Sequence, residues 1–202
     1  MIPARPSEAG FTVVETATAS MLLLVVLTTL LGLLNTQTKA ERRLRASVDN
    51  QEDVRYALVA IARDVRAADP LLPLATTATY RDTMELELKT TSGSHQAYVR
   101  WDFESASGVV RRQTLAAPGG SVTATTYSLS RVRNGDAGIP LFRYYNSAGT
   151  ELTSTTATAA DFANCTIRVH ITLYADSAPG PQPFRSESDG ELRNRLPGGV
   201  GC

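Results

Sequence analysis

Few side chains in this sequence have the types and spacing that catalysis or metal binding requires. The 202 residues include two histidines, His95 and His170, and two cysteines, Cys165 and Cys202. Neither histidine has a nucleophile or carboxylate at a spacing typical of a catalytic set, and so few soft ligands argue against a structural zinc site. A phosphate-binding glycine loop and a nucleophile elbow are also missing. We therefore expect no enzymatic activity, no cofactor and no metal.

Two features of the carboxyl-terminal region admit more than one interpretation. Glu187, Asp189 and Glu191 surround Gly190, and we interpret them as a solvated acidic turn because their spacing differs from that of a calcium-binding loop. If the region is extracytoplasmic, a disulfide between the two cysteines would close a 38-residue loop. Such a bridge stabilises by about 4 kcal/mol in the chain-entropy model. The alternative is a buried thiol at residue 165 and a free one at residue 202.

Glu15 is the one charged residue inside a long apolar run that begins at Phe11. From Thr16 to Leu34 the chain has 19 residues without a charge. At about 1.5 Å per helical residue, this run comes close to crossing a hydrocarbon core of about 30 Å. A carboxylate at membrane depth costs roughly 2.5 kcal/mol or more. Glu15 therefore lies either at the interface, beside the positive end of the helix, or next to a cation from another chain.

The residues Gly10-Phe11-Thr12-Val13-Val14-Glu15 resemble the prepilin cleavage motif of type IV pilins and type II secretion pseudopilins. In that motif a short polar leader ends in Gly, and Phe, Thr, two apolar residues, Glu and about twenty apolar residues follow. The resemblance implies cleavage after Gly10 by a prepilin peptidase and N-methylation of the new terminus, Phe11. It also implies a single-pass cytoplasmic (inner) membrane protein with an extracytoplasmic head, assembled into a pilus or pseudopilus.

The resemblance assigns Glu15 a role in subunit assembly. Its carboxylate would face the α-amino group of Phe11 in a neighbouring subunit, and that amino group is largely protonated at neutral pH. Two charges that are costly apart in lipid are tolerable as a pair. Such a pair also fixes the axial register of neighbouring subunits, because only one stagger brings the two groups together.

Charge counting gives the opposite topology. Arg5 precedes the apolar run and is offset by Glu8, whereas four basic residues follow it, namely Lys39, Arg42, Arg43 and Arg45. The positive-inside rule would place the carboxyl-terminal region in the cytoplasm, whereas the cleavage motif places it outside. A conventional signal peptide is a further alternative, although its apolar core is usually about 7–15 residues and residues 33–37 form a poor cleavage site.

The periodicity of apolar residues predicts the fold class. Helical spacing continues to Val65, so we predict one helix over Phe11–Ala68, ended by Asp69-Pro70. Alternation with a period of two predicts antiparallel strands within 84–89, 97–103 and 165–174, with further strands at 109–115, 126–132, 140–145 and 191–196. The expected fold is α+β and pilin-like, with a leader at 1–10, a transmembrane helix at 11–34, an amphipathic helix at 35–69 and an antiparallel β head at 70–202.

Looser matches at residues 63–68, 141–149 and 191–195 resemble the J-type minor subunits of type II secretion and the related W-type minor pilins. The resemblance implies a minor pilin or pseudopilin that initiates or caps a filament. Its implied partners are the prepilin peptidase, other major and minor pilins or pseudopilins, the inner-membrane assembly platform and membrane lipid.

Two alternatives to this function stay open. One is a DNA-uptake minor pilin that contacts DNA through Arg111 and Arg112. Nucleic acid is nevertheless not an expected partner, because 20 basic and 20 acidic residues leave the chain uncharged overall. The other is a membrane-anchored extracytoplasmic binding domain or enzyme.

Overall fold

The computed structural model describes residues 12–68, 83–92, 95–153, 157, 162, 165–176 and 183–192. Gly10, Phe11 and Cys202 lie outside these residues. The chain forms two compact units, Met1–Arg45 and Ala46–Cys202. Helix α1, Val13–Ala67, is the first element.

The apolar part of α1 belongs to the first unit. Among the described residues, one helix, near the amino terminus, is long and apolar enough to cross a membrane by length and composition alone. Its large apolar side chains between Val13 and Leu34 are exposed. The hydroxyl groups in this stretch are satisfied within the helix, since Thr16, Thr18 and Ser20 each donate to a carbonyl four residues earlier at 2.7–3.1 Å. These hydroxyls therefore require no water, which makes them tolerable in lipid.

The second part of α1 contributes one apolar stripe to the core of the second unit. Val54, Leu58, Ile61 and Val65 are buried, at the helical spacing that the sequence predicts. The helix ends at Ala67, and Ala68 forms a β-bridge with Thr90. This end agrees with the predicted one to within a residue.

In the described part of the second unit, eight strands form two antiparallel sheets. The first sheet has the order β1-β2-β3-β4, with β1 at Glu85–Ser92, β2 at His95–Glu104, β3 at Val109–Leu115 and β4 at Val122–Leu129. The second has the order β6-β5-β7-β8, with β5 at Phe142–Tyr145, β6 at Glu151–Leu152, β7 at Arg168–Asp176 and β8 at Pro183–Glu191. The short helix α2, Asn134–Ala137, lies between β4 and β5. The fold is therefore α+β, as predicted.

One hydrophobic core joins the buried stripe of α1 to the inward rows of both sheets. Its largest fully buried side chains include Trp101 and Leu86 of the first sheet and Tyr144 and Phe142 of the second. The Phe142 N–H donates to the Thr83 carbonyl at 2.8 Å, and the Tyr144 hydroxyl donates to the Glu85 carbonyl at 3.1 Å. These two hydrogen bonds tie the start of β5 to the region of β1.

Several predicted boundaries differ from the structure. Strand β4 occupies 122–129 rather than 126–132, because Arg131 has a left-handed backbone with φ 65° that ends the extended run. The acidic segment 187–191, predicted as a turn, is part of strand β8. His95 is the first residue of β2. Residues 193–196, predicted as a strand, lie outside the described residues. Apolar alternation missed β8 because its inward row consists of Phe184, Ser186, Ser188 and Gly190.

Gly190 lies where β8 approaches helix α1 most closely. A Cβ atom added there would lie 2.8 Å from both Cβ and Cγ1 of Val65. Real Cβ contacts are not that short, and Val65 has a stiff β-branched side chain in a buried helical turn. Only glycine fits this position without displacing the strand or the helix.

We predict that Gly190→Ala lowers the free energy of unfolding by about 1–3 kcal/mol, because the added methyl group overpacks the core at Val65. Chemical denaturation followed by the fluorescence of Trp101 measures the change. Ser188→Ala, two residues away in the same inward row, is the matched control and should stay near the wild-type midpoint. Equal midpoints for the two variants would contradict the close approach.

Candidate functional site

Of the three residues to which the motif assigns processing or assembly, Gly10, Phe11 and Glu15, only Glu15 lies among the described residues. It lies in the first turn of α1 and is exposed. Its backbone N–H donates to the Thr12 hydroxyl oxygen at 3.3 Å. Thr12 directly precedes the helix, so it acts as the N-cap, and Thr-x-x-Glu is the sequence pattern of a capping box. Sequence reasoning missed this local role, although the pattern was present to find it.

The carboxylate of Glu15 is available for an interaction outside the described part of the chain. Among the described residues, no ion pair includes Glu15, and its neighbours Val13 and Val14 are exposed apolar side chains. A carboxylate in the first helical turn is stabilised by the positive end of the helix dipole, by about 0.3–1 kcal/mol at exposed sites. The cap uses the backbone N–H of Glu15, so both carboxylate oxygens stay free to accept.

A buried carboxylate on α1 joins the helix to two strands of the first sheet. Asp64 is 4% exposed. Its Oδ2 accepts from the indole Nε1 of Trp101 at 3.0 Å and from Nε of Arg112 at 2.7 Å. The Nη1 group of Arg112 continues to the Thr126 hydroxyl on β4 at 2.9 Å. Asp64, Trp101, Arg112 and Thr126 form what we call the Asp64 cluster.

A second link connects α1 to β4 through Tyr127. The Tyr127 hydroxyl donates to the Asp53 carbonyl at 3.1 Å, and its ring centroid lies 5.4 Å from that of Tyr56 and 6.0 Å from that of Trp101. Burial, and next the negative charge of Asp53, raises the pKa of Tyr127 to about 12. The Tyr127 hydroxyl therefore stays protonated and donates its hydrogen bond to the Asp53 carbonyl throughout the physiological pH range.

The two contact residues of β4 lie at a break in strand register. Gln113 pairs with Thr125 and Arg112 pairs with Tyr127, so Thr126 is an extra residue opposite them. A second break leaves Thr123 as an extra residue, and its hydroxyl donates to the Thr114 carbonyl at 3.0 Å. Such bulges bend a strand and redirect side chains, which lets consecutive residues of β4 serve the two links to the helix.

A second buried carboxylate lies on the opposite face of the first sheet. Glu87 is fully buried, and its Oε1 accepts from Arg100 Nη2 at 3.1 Å and from the Gly119 N–H of the β3–β4 turn at 3.0 Å. No hydrogen-bond partner for Oε2 exists among the described residues. Arg100 Nε lies 2.9 Å from Glu85 Oε1 but does not meet the angle of a hydrogen bond. Glu87 thus anchors the turn to the sheet.

Charge pairs continue along this face at Asp102 and Glu104. Burial raises the pKa of Asp102, although the neighbouring guanidinium groups of Arg111 and Arg100 oppose the shift. Hydrogen bonds from Ser107 and Arg111 lower the pKa of Glu104. The Arg111–Glu104 distance is 2.5 Å. The face therefore carries an internally paired network of acidic and basic side chains.

The arginines proposed for DNA contact are engaged within their own chain. Arg111 pairs with Glu104, and Arg112 pairs with buried Asp64. Arg133, which directly precedes helix α2, pairs with Asp136 at 2.9 Å and with Asp176 at 2.8 Å. DNA would have to compete with these carboxylates. The geometry therefore adds no support for DNA binding at Arg111 and Arg112.

His170 lies on the outward face of β7. Its Nδ1 is 3.0 Å from Asp189 Oδ1, and its Nε2 is 3.9 Å from Glu187 Oε2. Among the described residues, no group of three or more His, Cys, Asp or Glu side chains could hold a metal ion. Cys165 is disulfide-bonded, and its predicted partner, Cys202, lies outside the described residues.

In comparisons with known proteins, no family model matches the chain, and no curated protein gives a significant match. The described residues define an α+β protein with an amino-terminal helix that is apolar enough to span a membrane.

We predict that the difference in unfolding free energy between the wild type and Tyr127→Phe becomes smaller as the pH rises. At neutral pH the variant loses the hydrogen bond to Asp53, which costs about 1 kcal/mol. Because the folded pKa is raised above the ordinary value of 10.0, the wild type has a stabilising contribution below pH 10 that it loses as the pH rises through about 12. Denaturation midpoints at pH 8 to pH 12 measure the gap, and a constant gap would contradict the assignment.

Proposed function

We propose that the chain is a minor pilin or pseudopilin, a structural subunit that initiates or caps a type IV pilus or a type II secretion-like filament. The observation that carries the proposal is the Gly10–Glu15 motif, whose last three residues begin helix α1. That helix has exposed apolar side chains in its first part and a buried stripe in its second part. A subunit that moves from a membrane into a filament needs both surfaces on one element.

The processing steps follow from the motif. A prepilin peptidase cleaves after Gly10, and Phe11 becomes the methylated amino terminus. Cleavage removes the polar leader and creates a positive charge four residues before Glu15. The carboxylate of Glu15 then pairs with the terminal ammonium of a neighbouring subunit, and the attraction between the two charges offsets part of the solvation energy that each loses in lipid.

The head supports a structural role rather than a catalytic one. Its buried carboxylates, Asp64 and Glu87, hold elements of the fold together. His170 lies against the acidic residues Asp189 and Glu187 on an outward strand face. The partners of such a subunit are the assembly platform in the inner membrane, other pilins or pseudopilins and lipid.

The first prediction concerns the amino terminus of the protein isolated from its native membrane. Peptide mass spectrometry should find a terminus at Phe11 carrying one additional methyl group. This result would also place the head outside the cytoplasm, against the charge count. An intact Met1, or a terminus beyond Leu34, would discard the filament proposal.

The second prediction concerns Glu15. Glu15→Gln and Glu15→Ala should each reduce incorporation into filaments by roughly tenfold or more, because a pair worth about 1.4 kcal/mol or more is lost. Glu52→Gln is the matched control, since Glu52 is an exposed carboxylate farther along the same helix. Quantitative blotting of sheared filaments against membranes gives the ratio. Wild-type incorporation of the Glu15 variants would refute the pairing.

A further inference from the structure

Helix α1 meets the head through many apolar contacts and few directional ones. Among the described residues, three polar contacts between α1 and the strands are directional. Asn50 donates its side-chain N–H to the Asp176 carbonyl, Asp53 accepts through its carbonyl from Tyr127, and Asp64 accepts through its carboxylate. Apolar burial is non-directional and tolerates alternative packings of similar volume. The rotation of the helix about its own axis therefore depends on the polar contacts.

The contact at Asp64 constrains the helix more than the other two, because both carboxylate oxygens accept hydrogen bonds from residues on two strands. Oδ2 accepts from Trp101 of β2 and from Arg112 of β3, and Oδ1 lies 3.4 Å from Arg112 Nη2. Turning the helix by one residue position, about 100°, would remove the carboxylate from both donors. The buried indole N–H would then lose its partner, and Arg112 would lose its counter-charge.

The links at Asp53 and Asp64 lie on the same side of the helix. The two residues are 11 positions apart, which is close to three full turns at about 3.6 residues per turn. Both links end on consecutive residues of β4, since Tyr127 donates to Asp53 and Thr126 accepts from Arg112. The bulge at Thr126 thus holds the helix at two points along its length.

We propose that Asp64 is a positioning residue that fixes the rotational setting of α1 on the first sheet. In this setting Tyr56 and Val59 are 61% and 62% exposed, whereas Ala60 and Ala62 are 7% and 2% exposed. Buried ion pairs contribute little net stability compared with apolar replacements, and in some proteins they select one arrangement among several. Asp64 acts in this second way.

The setting decides which helix face a neighbouring subunit would meet. The consequence for assembly rests on the proposed function, but the rotation itself does not. The two fail in different experiments: loss of rotation control is read on the isolated protein, whereas failure of the filament proposal is read at the Phe11 terminus.

The test measures thiol accessibility on the two flanks of the buried stripe in the full-length protein in detergent. Ala60→Cys and Ala62→Cys lie on opposite flanks, so rotation in either direction exposes one of them, and Val59→Cys serves as the exposed reference. Each cysteine substitution is introduced into three backgrounds. The first is the double variant Asp64→Leu/Arg112→Met, which removes both charges. The second is Asp64→Asn, and the third is the control Asp49→Asn at an exposed position. Maleimide labelling rates are measured without reductant, because Cys165 is disulfide-bonded, and the parent chain gives the background.

We expect the rate at residue 59 to exceed the rates at residues 60 and 62 in the Asp49→Asn control. In the charge-free double variant that ratio should fall by roughly tenfold at one of the two flanks, while the variant still unfolds in one cooperative transition. An unchanged ratio at both flanks in a folded double variant overturns the proposal. If the double variant does not fold, Asp64→Asn decides: a reduced ratio supports the proposal, and a ratio equal to that of Asp49→Asn overturns it.

Discussion

The head depends on the burial of a single stripe of helix α1. Each sheet has one apolar face, and a sheet of this kind is stable only when another element covers it. Val54, Leu58, Ile61 and Val65 supply that cover and join the inward rows of both sheets in one core. The contact is tight enough that β8 has glycine at residue 190, where a methyl group would collide with Val65. Removing the helix would expose both sheets, so the head and the second part of α1 are one folding unit.

Polar groups add direction to this apolar contact and keep the sheets from extending. Asp64 fixes the helix against β2 and β3, and Glu87 holds the β3–β4 turn on the opposite face. Two outer strands, β4 and β8, have irregular or charged edges. Strand β4 is interrupted by two bulges, and β8 begins with Pro183 and carries charged residues on its outward face. Bulges, proline and charge all discourage pairing with a further strand. For the proposed filament subunit, contacts with neighbours are therefore expected through helix faces rather than through the edges at β4 and β8.

The elements with regular apolar spacing could be predicted from the sequence, and those without it could not. Helix α1 and strands β1, β2 and β7 follow the helical or alternating pattern, because their buried faces consist of large apolar residues. The sequence predicts a turn at 187–191, within strand β8, because small residues fill most of the inward row of that strand. It predicts the fourth strand at 126–132 instead of 122–129, because most residues of β4 are exposed and show no apolar alternation. The Asp64 cluster joins residues 37 and 48 positions apart. No periodicity shows such a contact, because it depends on how the helix lies on the sheet.

The N-cap at the backbone of Glu15 and the assembly role proposed for its carboxylate do not compete. A capping residue normally satisfies a backbone N–H at the start of a helix, and Thr12 does this for the N–H of Glu15. The carboxylate is then held in the first turn with its oxygens outward, among exposed apolar neighbours. In water that position is mildly favourable, but in lipid an unpaired carboxylate would be costly. The helix start is therefore capped within one chain. In the proposed filament, the ammonium group of a second chain would compensate the charge of the carboxylate, and this gain would give assembly a driving force that depends on the membrane.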